Sequence, residues 1–344
     1  MAVVGAVVCG AAAAGPAQAP PQSPVPVAQD TPARTFPDWL DGVRREALER
    51  GISAATVEEA LAHVDPLPVV VERDRTQAEL TLSLDQYLKR RLTPRFITRA
   101  RETARTHAAV LSRVAAQYGV GQSTLVAIWG IESNFGRFSG TWPTIQALAT
   151  LAYDPHRPAL FRSELFAALQ ILDQRDIDLP SMKGSWAGAM GQPQFMPSSY
   201  LKYAVDFDGD SRRDIWTSTG DVLASMANYL KEHGWVTGYR WGREVRVPAA
   251  AAARIAAGVP LRLTGSCQAV RQMTDARPLA DWRSMGVTQV TGAALPVADV
   301  SASFLRVDTH TFLVYQNYEA LLAYNCAHAY ALSIGSVADL LGGN

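Results

Sequence analysis

The stretch Ala127-Ile128-Trp129-Gly130-Ile131-Glu132-Ser133-Asn134-Phe135-Gly136 sets one carboxylate on an apolar run with helical spacing, near its expected end. Leu125, Ile128 and Trp129 precede Glu132 by seven, four and three residues, which puts all four on one helix face. An apolar wall disfavours the charged form of a carboxyl. The negative end of a helix stopping at Gly136 pushes the same way. A carboxyl kept protonated near neutral pH is a general acid, which cleavage of a glycosidic bond requires. Most helix glutamates are instead solvated or ion-paired, so the rest of the chain has to decide.

Glycoside hydrolysis ordinarily uses two carboxyls, about 5–5.5 Å apart for retention and about 6.5–9.5 Å for inversion. No partner as well placed as Glu132 is evident. Asp154 and Glu164 are nearest in sequence, and both suit surface or capping roles better. A single carboxyl suffices when the sugar carries its own nucleophile, as a muramyl residue does in its C6 hydroxyl. A second chemical pattern is Asp206-Phe207-Asp208-Gly209-Asp210-Ser211-Arg212-Arg213-Asp214, with oxygens at alternate positions as in a calcium loop. The candidate ligands are Asp206, Asp208, Asp210, Arg212 and Asp221. Ser211 stands where such loops have Gly, and Thr217 where they close with Glu. An Asp-rich turn capping the next helix is the alternative.

The elements that must position these groups are mostly helical. Apolar residues recur at helical spacing over 38–50 and 53–63, with Ser53 a candidate cap. A long amphipathic segment runs from Pro94 to about Tyr118 and breaks at Gly119-Val120-Gly121. Ser123 can cap the helix bearing Glu132. Further helices are expected over 144–153, 159–175 and 219–233, and a last one through Tyr324-Asn325 to Leu341. Between them, Leu179 to Tyr200 is rich in Gly and Pro yet carries Trp, Phe, Tyr and Met, as in a loop held by packing close to a ligand. Alternation at 243–247, 260–264 and 303–307 marks strands. The expected architecture is mainly α: a helical core over 37–240 with contributions from 312–344, and a small strand-containing (α+β) subdomain at about 243–308.

The chain has 344 residues, 48% of them hydrophobic and 19% charged, enough for a substantial core. Formal net charge is zero, which gives no electrostatic case for nucleic acid. Met1 to Ala14 is nearly all Ala, Val and Gly, followed by an Ala-x-Ala site at Ala19, so residues 1–19 read as a signal peptide. Residues 20–36 read as a Pro-rich tether. No later apolar run reaches membrane-spanning length. Val8 is bulky for a lipid-attachment site at Cys9. Cys267 and Cys326 remain after export, and an oxidising compartment permits a disulfide that sequence alone does not establish.

Ile128 to Gly136, Gly184 to Tyr200 and Ala227-Asn228-Tyr229-Leu230 together resemble the lytic murein transglycosylases of the membrane-bound B type, from about Phe36 to Ile334. The resemblance implies a lysozyme-like helical core, periplasmic cleavage of the MurNAc–GlcNAc linkage to 1,6-anhydroMurNAc ends, and no organic cofactor. It implies Glu132 as acid then base. Ser185, Gln194, Tyr229, Tyr324, Asn325 and Tyr330 then line the cleft, with Tyr87 a further cleft tyrosine and Arg157 a contact for stem-peptide carboxylates. Hydroxyls, amides and tyrosine faces suit a sugar ring, and a guanidinium fork suits carboxylates. A structural calcium in the 206–221 loop is implied for some members. The partner expected is the glycan strand, with other cell-wall synthesis or remodelling proteins as further candidates. Two alternatives stand beside this: a water-using muramidase with a second carboxylate across the cleft, and a non-catalytic peptidoglycan-binding or scaffolding protein.

Overall fold

The structure, a computed structural model, describes residues 35–76, 82–265 and 267–342. The expected signal peptide, all but the end of the tether, and Cys9 lie outside the described residues. The described residues form sixteen helices and seven short strands. In chain order the first are α1 (Phe36–Glu49), α2 (Ala54–Leu61), α3 (Pro68–Arg75), α4 (Leu84–Arg91), α5 (Pro94–Thr106), α6 (Ala108–Tyr118) and α7 (Gln122–Ser133). β1 (Trp142–Pro143), α8 (Thr144–Tyr153), α9 (Pro158–Asp173), β2 (Lys183–Gly184), α10 (Pro197–Tyr203) and α11 (Thr219–Glu232) follow. Next come β3 (Gly242–Arg246), α12 (Ala249–Gly258), α13 (Gln268–Arg271), β4 (Arg277–Pro278), α14 (Leu279–Ser284) and β5 (Thr288–Gln289). The chain returns through β6 (Ser301–Val307), β7 (His310–Val314), α15 (Gln316–Tyr324) and α16 (His328–Leu340).

Helix α7 is buried on every side from Thr124 to Ile131, not along one stripe, because α5, α6, α11 and α16 all pack on it. It starts at Gly121 with no side-chain cap, so Ser123 sits inside the helix and does not cap it. It stops at Asn134, two residues before the expected Gly136. Asn134, Phe135 and Gly136 all take left-handed backbone angles (φ 51°, 60° and 76°). Asn is among the few residues that tolerate this. The Phe135 N–H reaches back to the Trp129 carbonyl (3.2 Å), and the Ser133 hydroxyl accepts from Gly136 N–H (3.1 Å). Gly130 makes room for the turn: a Cβ there would lie 2.6 Å from the Phe135 ring.

Three other expectations need correction. The segment 94–118 is two helices broken at His107, whose ring packs edge-on against Trp129 (centroids 5.1 Å). The last helix is likewise two, α15 and α16, separated by Asn325–Ala327 in extended conformation at both flanks. Pro260–Thr264 is not a strand; Leu261 makes one isolated bridge to Thr274. Arg262 instead turns its guanidinium to the Thr274 carbonyl and the Ser303 hydroxyl, and Leu263 is 92% exposed. By contrast α8 has the expected limits, and the Ser53 hydroxyl accepts from Thr56 N–H at the start of α2.

Apolar side chains gather in three clusters. One surrounds α7 with α11, α15 and α16; a second joins α1, α2, α8, α9 and α10. The third lies under an antiparallel five-stranded sheet of order β4-β6-β7-β3-β5 and is centred on the fully buried Trp282. Within the β6–β7 hairpin Phe304 pairs with Leu313 and Val307 with His310. Tyr324 packs against both helical clusters and marks the seam between them. The end of α7 opens at that seam.

Candidate active site

Glu132 occupies the last turn of α7, where the burial of the helix gives way to solvent. The Tyr330 hydroxyl, carried by α16, donates to Glu132 Oε1 at 2.5 Å. Tyr330 is buried (4% exposed); burial first, then the nearby Glu132 charge, push its hydroxyl well above the ordinary tyrosine range. It therefore stays protonated and remains a donor. One carboxylate oxygen is thereby held in place at the edge of the cleft.

A close chain crossing sets the facing wall. Gly140 (φ 100°) passes so near Gly184 that a Cβ would fall 2.0 Å from its backbone. This brings the Gly/Pro loop beside the end of α7. In that loop the Ser185 hydroxyl accepts from Ala189 N–H (3.1 Å). Gln194, itself left-handed (φ 54°), donates its amide to the Ser139 and Gly191 carbonyls. The result is a cavity of about 540 Å³ lined by Glu132, Ser185, Gln194, Tyr324 and Asn325, with Arg73 and Trp186 at its margin. A second cavity of about 260 Å³ is also lined by Glu132, with Arg90, Arg91, Asn134 and the exposed Phe138. Glu132 is the one carboxylate among the described residues lining either.

Asp154 and Glu164 have structural work. Asp154 pairs with Arg75 (2.8 Å) and accepts from His156 N–H. Both Glu164 oxygens accept from Ser198, one from its N–H (2.9 Å) and one from its hydroxyl (2.6 Å), at the start of α10.

Not every expected cleft residue lines the cavity. Tyr229 lies behind it, stacked on His233 (4.1 Å) and against Tyr324 (4.8 Å), its hydroxyl donating to the Ala323 carbonyl. Burial pushes that hydroxyl up to about 12. Tyr229 thus backs Tyr324, which itself donates to the Pro193 carbonyl (2.8 Å). Tyr87 is buried on α4 with the Arg91 guanidinium 5.6 Å from its ring centre. Arg157 is ion-paired with buried Asp74, which also contacts His156. Burial alone would raise the Asp74 pKa, but those two hydrogen bonds outweigh it and hold the carboxylate below its usual range.

The residue that sequence reasoning passed over is Gln192. Its Oε1 accepts from Trp129 Nε1–H (2.7 Å) and its Nε2 donates to the Trp216 carbonyl (2.7 Å), tying α7 to the loop. Its position within the Gly/Pro loop was the available signal; its partner, 63 residues away, was not readable from the chain.

Beyond the cleft, Asp206, Asp208 and Asp210 each bring a carboxylate oxygen within 4.8 Å of the others. Ser211 adopts the left-handed turn (φ 70°) where a Gly was expected. Asp221 is not turned to this trio with a spare oxygen: its two oxygens accept from Phe207 and Asp214 N–H, both at 2.8 Å, closing the loop onto α11. Arg212 N–H donates to Asp210. Three converging carboxylates suit a hard divalent cation.

A mainly helical, lysozyme-like core with a glutamate lining its cleft points to the class. Residues 35–339 match the transglycosylase SLT domain family, and the chain belongs to that family. It is similar to the membrane-bound lytic murein transglycosylase B of Escherichia coli (strain K12), at 35% identity over 230 residues. That match spans 65% of this chain and 58% of the relative's length. A crystal structure of SltB3 from Pseudomonas aeruginosa in complex with NAG-anhNAM-pentapeptide superposes with a TM-score of 0.81 at 43% identity, covering 90% of this chain and 80% of that one. The Escherichia coli lytic transglycosylase Slt35 in complex with calcium gives 0.72 at 27% identity, covering 88% and 92%.

Proposed function

We propose that this protein is a lytic transglycosylase that cleaves the β-1,4 MurNAc–GlcNAc bond of peptidoglycan without consuming water. Glu132 first gives its proton to the glycosidic oxygen as the bond from that oxygen to MurNAc C1 breaks. The resulting carboxylate then takes the proton of the C6 hydroxyl as that oxygen closes on C1. The products are a 1,6-anhydroMurNAc end and a free GlcNAc hydroxyl, and Glu132 is reprotonated. Tyr330 holds Oε1 throughout, and Ser185, Gln194 and Asn325 supply hydrogen bonds to the sugars. The observation that carries this reading is the single carboxylate among the described cleft residues, since water activation from the opposite face needs a second. The similarity to an SltB3 complexed with an anhydro-sugar peptide supports it.

Asp206, Asp208 and Asp210 would hold a structural calcium ion, which would stiffen the loop before α11. The periplasm is the compartment we infer; a disulfide between Cys267 and Cys326 supports an oxidising one. No helix among the described residues is long and apolar enough to cross a membrane.

The test is a mass-spectrometric digest of purified peptidoglycan with wild-type protein beside Glu132→Gln. Muropeptides with anhydroMurNAc ends, lost in the variant, are expected. Reducing ends heavier by one water would replace this reading with a muramidase, and binding without products with a scaffold.

A further inference from the structure

Cys267 and Cys326 are joined by a disulfide, their Cα atoms 5.9 Å apart, within the ordinary range for such a bond. Cys326 sits between α15 and α16, in the short turn where Ala327 N–H donates to the Asn325 carbonyl (2.7 Å). Tyr324 and Asn325, just before it, line the larger cavity. Tyr330, four residues after it, is the donor to Glu132. This turn therefore aims three groups: Tyr324 at the end of α15, Asn325 in the turn itself and Tyr330 on α16. Cys267 precedes α13, whose Ala269 and Val270 are buried in the same cluster as Ile128, Trp129 and Tyr330. One end of the bond is thus anchored in the core that holds α7, and the other on the turn that must face it.

We propose that the Cys267–Cys326 disulfide is a positioning element of the catalytic cleft, fixing the α15–α16 turn so that Asn325 and Tyr324 meet the saccharide and Tyr330 meets Glu132. This rests on the transglycosylase reading above. The cysteines touch neither substrate nor Glu132; they act through the three residues they flank. Without the bond, the turn is free to shift on a surface where Asn325 and Cys326 are exposed, and both binding and proton transfer lose alignment.

The experiment compares oxidised wild-type protein, the same protein reduced by dithiothreitol, and Cys267→Ala/Cys326→Ala, on soluble peptidoglycan fragments. kcat and KM are measured well below the unfolding temperature, with the folded fraction followed by far-UV circular dichroism. Reduction and the double variant are both expected to raise KM about threefold or more and to lower kcat about fivefold or more, with the folded fraction unchanged. The double variant is expected to ignore dithiothreitol. A merely stabilising bond gives a different result: apparent kcat falls in proportion to the folded fraction and KM stays constant. That outcome, or constants indifferent to reduction in an active enzyme, overturns the positioning role and leaves the activity standing. Oxidised wild-type protein that releases no product overturns both.

Discussion

Replacing Tyr330 by Phe removes one hydroxyl and keeps the ring that fills its buried site. The hydroxyl makes a 2.5 Å hydrogen bond to a carboxylate, with the ring 4% exposed. Hydrogen bonds to charged groups contribute about 1.5–3 kcal/mol, so its loss predicts kcat lower by about 10- to 150-fold. KM is expected to change little, because Tyr330 is not among the residues lining either cavity. The assay is release of anhydro-muropeptides by wild type, Tyr330→Phe, Glu132→Gln and the double variant. Tyr330 acts through Glu132, so the double variant should be no slower than Glu132→Gln alone. Additive losses in the double variant, or a Tyr330→Phe enzyme within twofold (about 0.4 kcal/mol) of wild type, would refute the reasoning.

Three further expectations follow from the same contacts. Gln192→Ala leaves the buried Trp129 N–H without its acceptor and should cost about 1–3 kcal/mol of stability, measurable by urea denaturation. Burial, opposed by a backbone hydrogen bond near Ala269, holds the His328 pKa down to about 4. Between that value and the ordinary histidine range the unfolded chain binds a proton that the folded one does not. Stability should therefore fall as pH drops through this window, by about 3 kcal/mol in all, and His328→Phe should flatten the melting-temperature profile there. Calcium should raise the melting temperature of the wild type, and Asp206→Ala/Asp208→Ala should abolish that rise without changing kcat at temperatures where both are folded.

The sequence by itself determined the features whose signals are local. Helical periodicity and a capping Ser53 placed α2, and periodicity gave the limits of α8. The spacing Leu125, Ile128, Trp129, Glu132 put the carboxylate at the end of an apolar helix, where it lies. The alternate aspartates of the 206–210 loop converge as their spacing suggests.

Tertiary structure decided what depends on distant partners. The break at His107 has no Pro or Gly to announce it; its ring lies against Trp129 of another helix. The burial of α7 on all sides comes from four helices packed around it, which a single amphipathic stripe does not foretell. The resemblance put both Tyr229 and Tyr330 in the cleft, yet only the fold set one behind the wall and the other on Glu132, 198 residues away along the chain. Asp74 likewise claimed Arg157, and Gln192 bound Trp129, through contacts made when separate helices and loops close on one another. Periodicity and turn chemistry act over a few residues, whereas orientation at a cleft is set by side chains that meet only after the chain has folded.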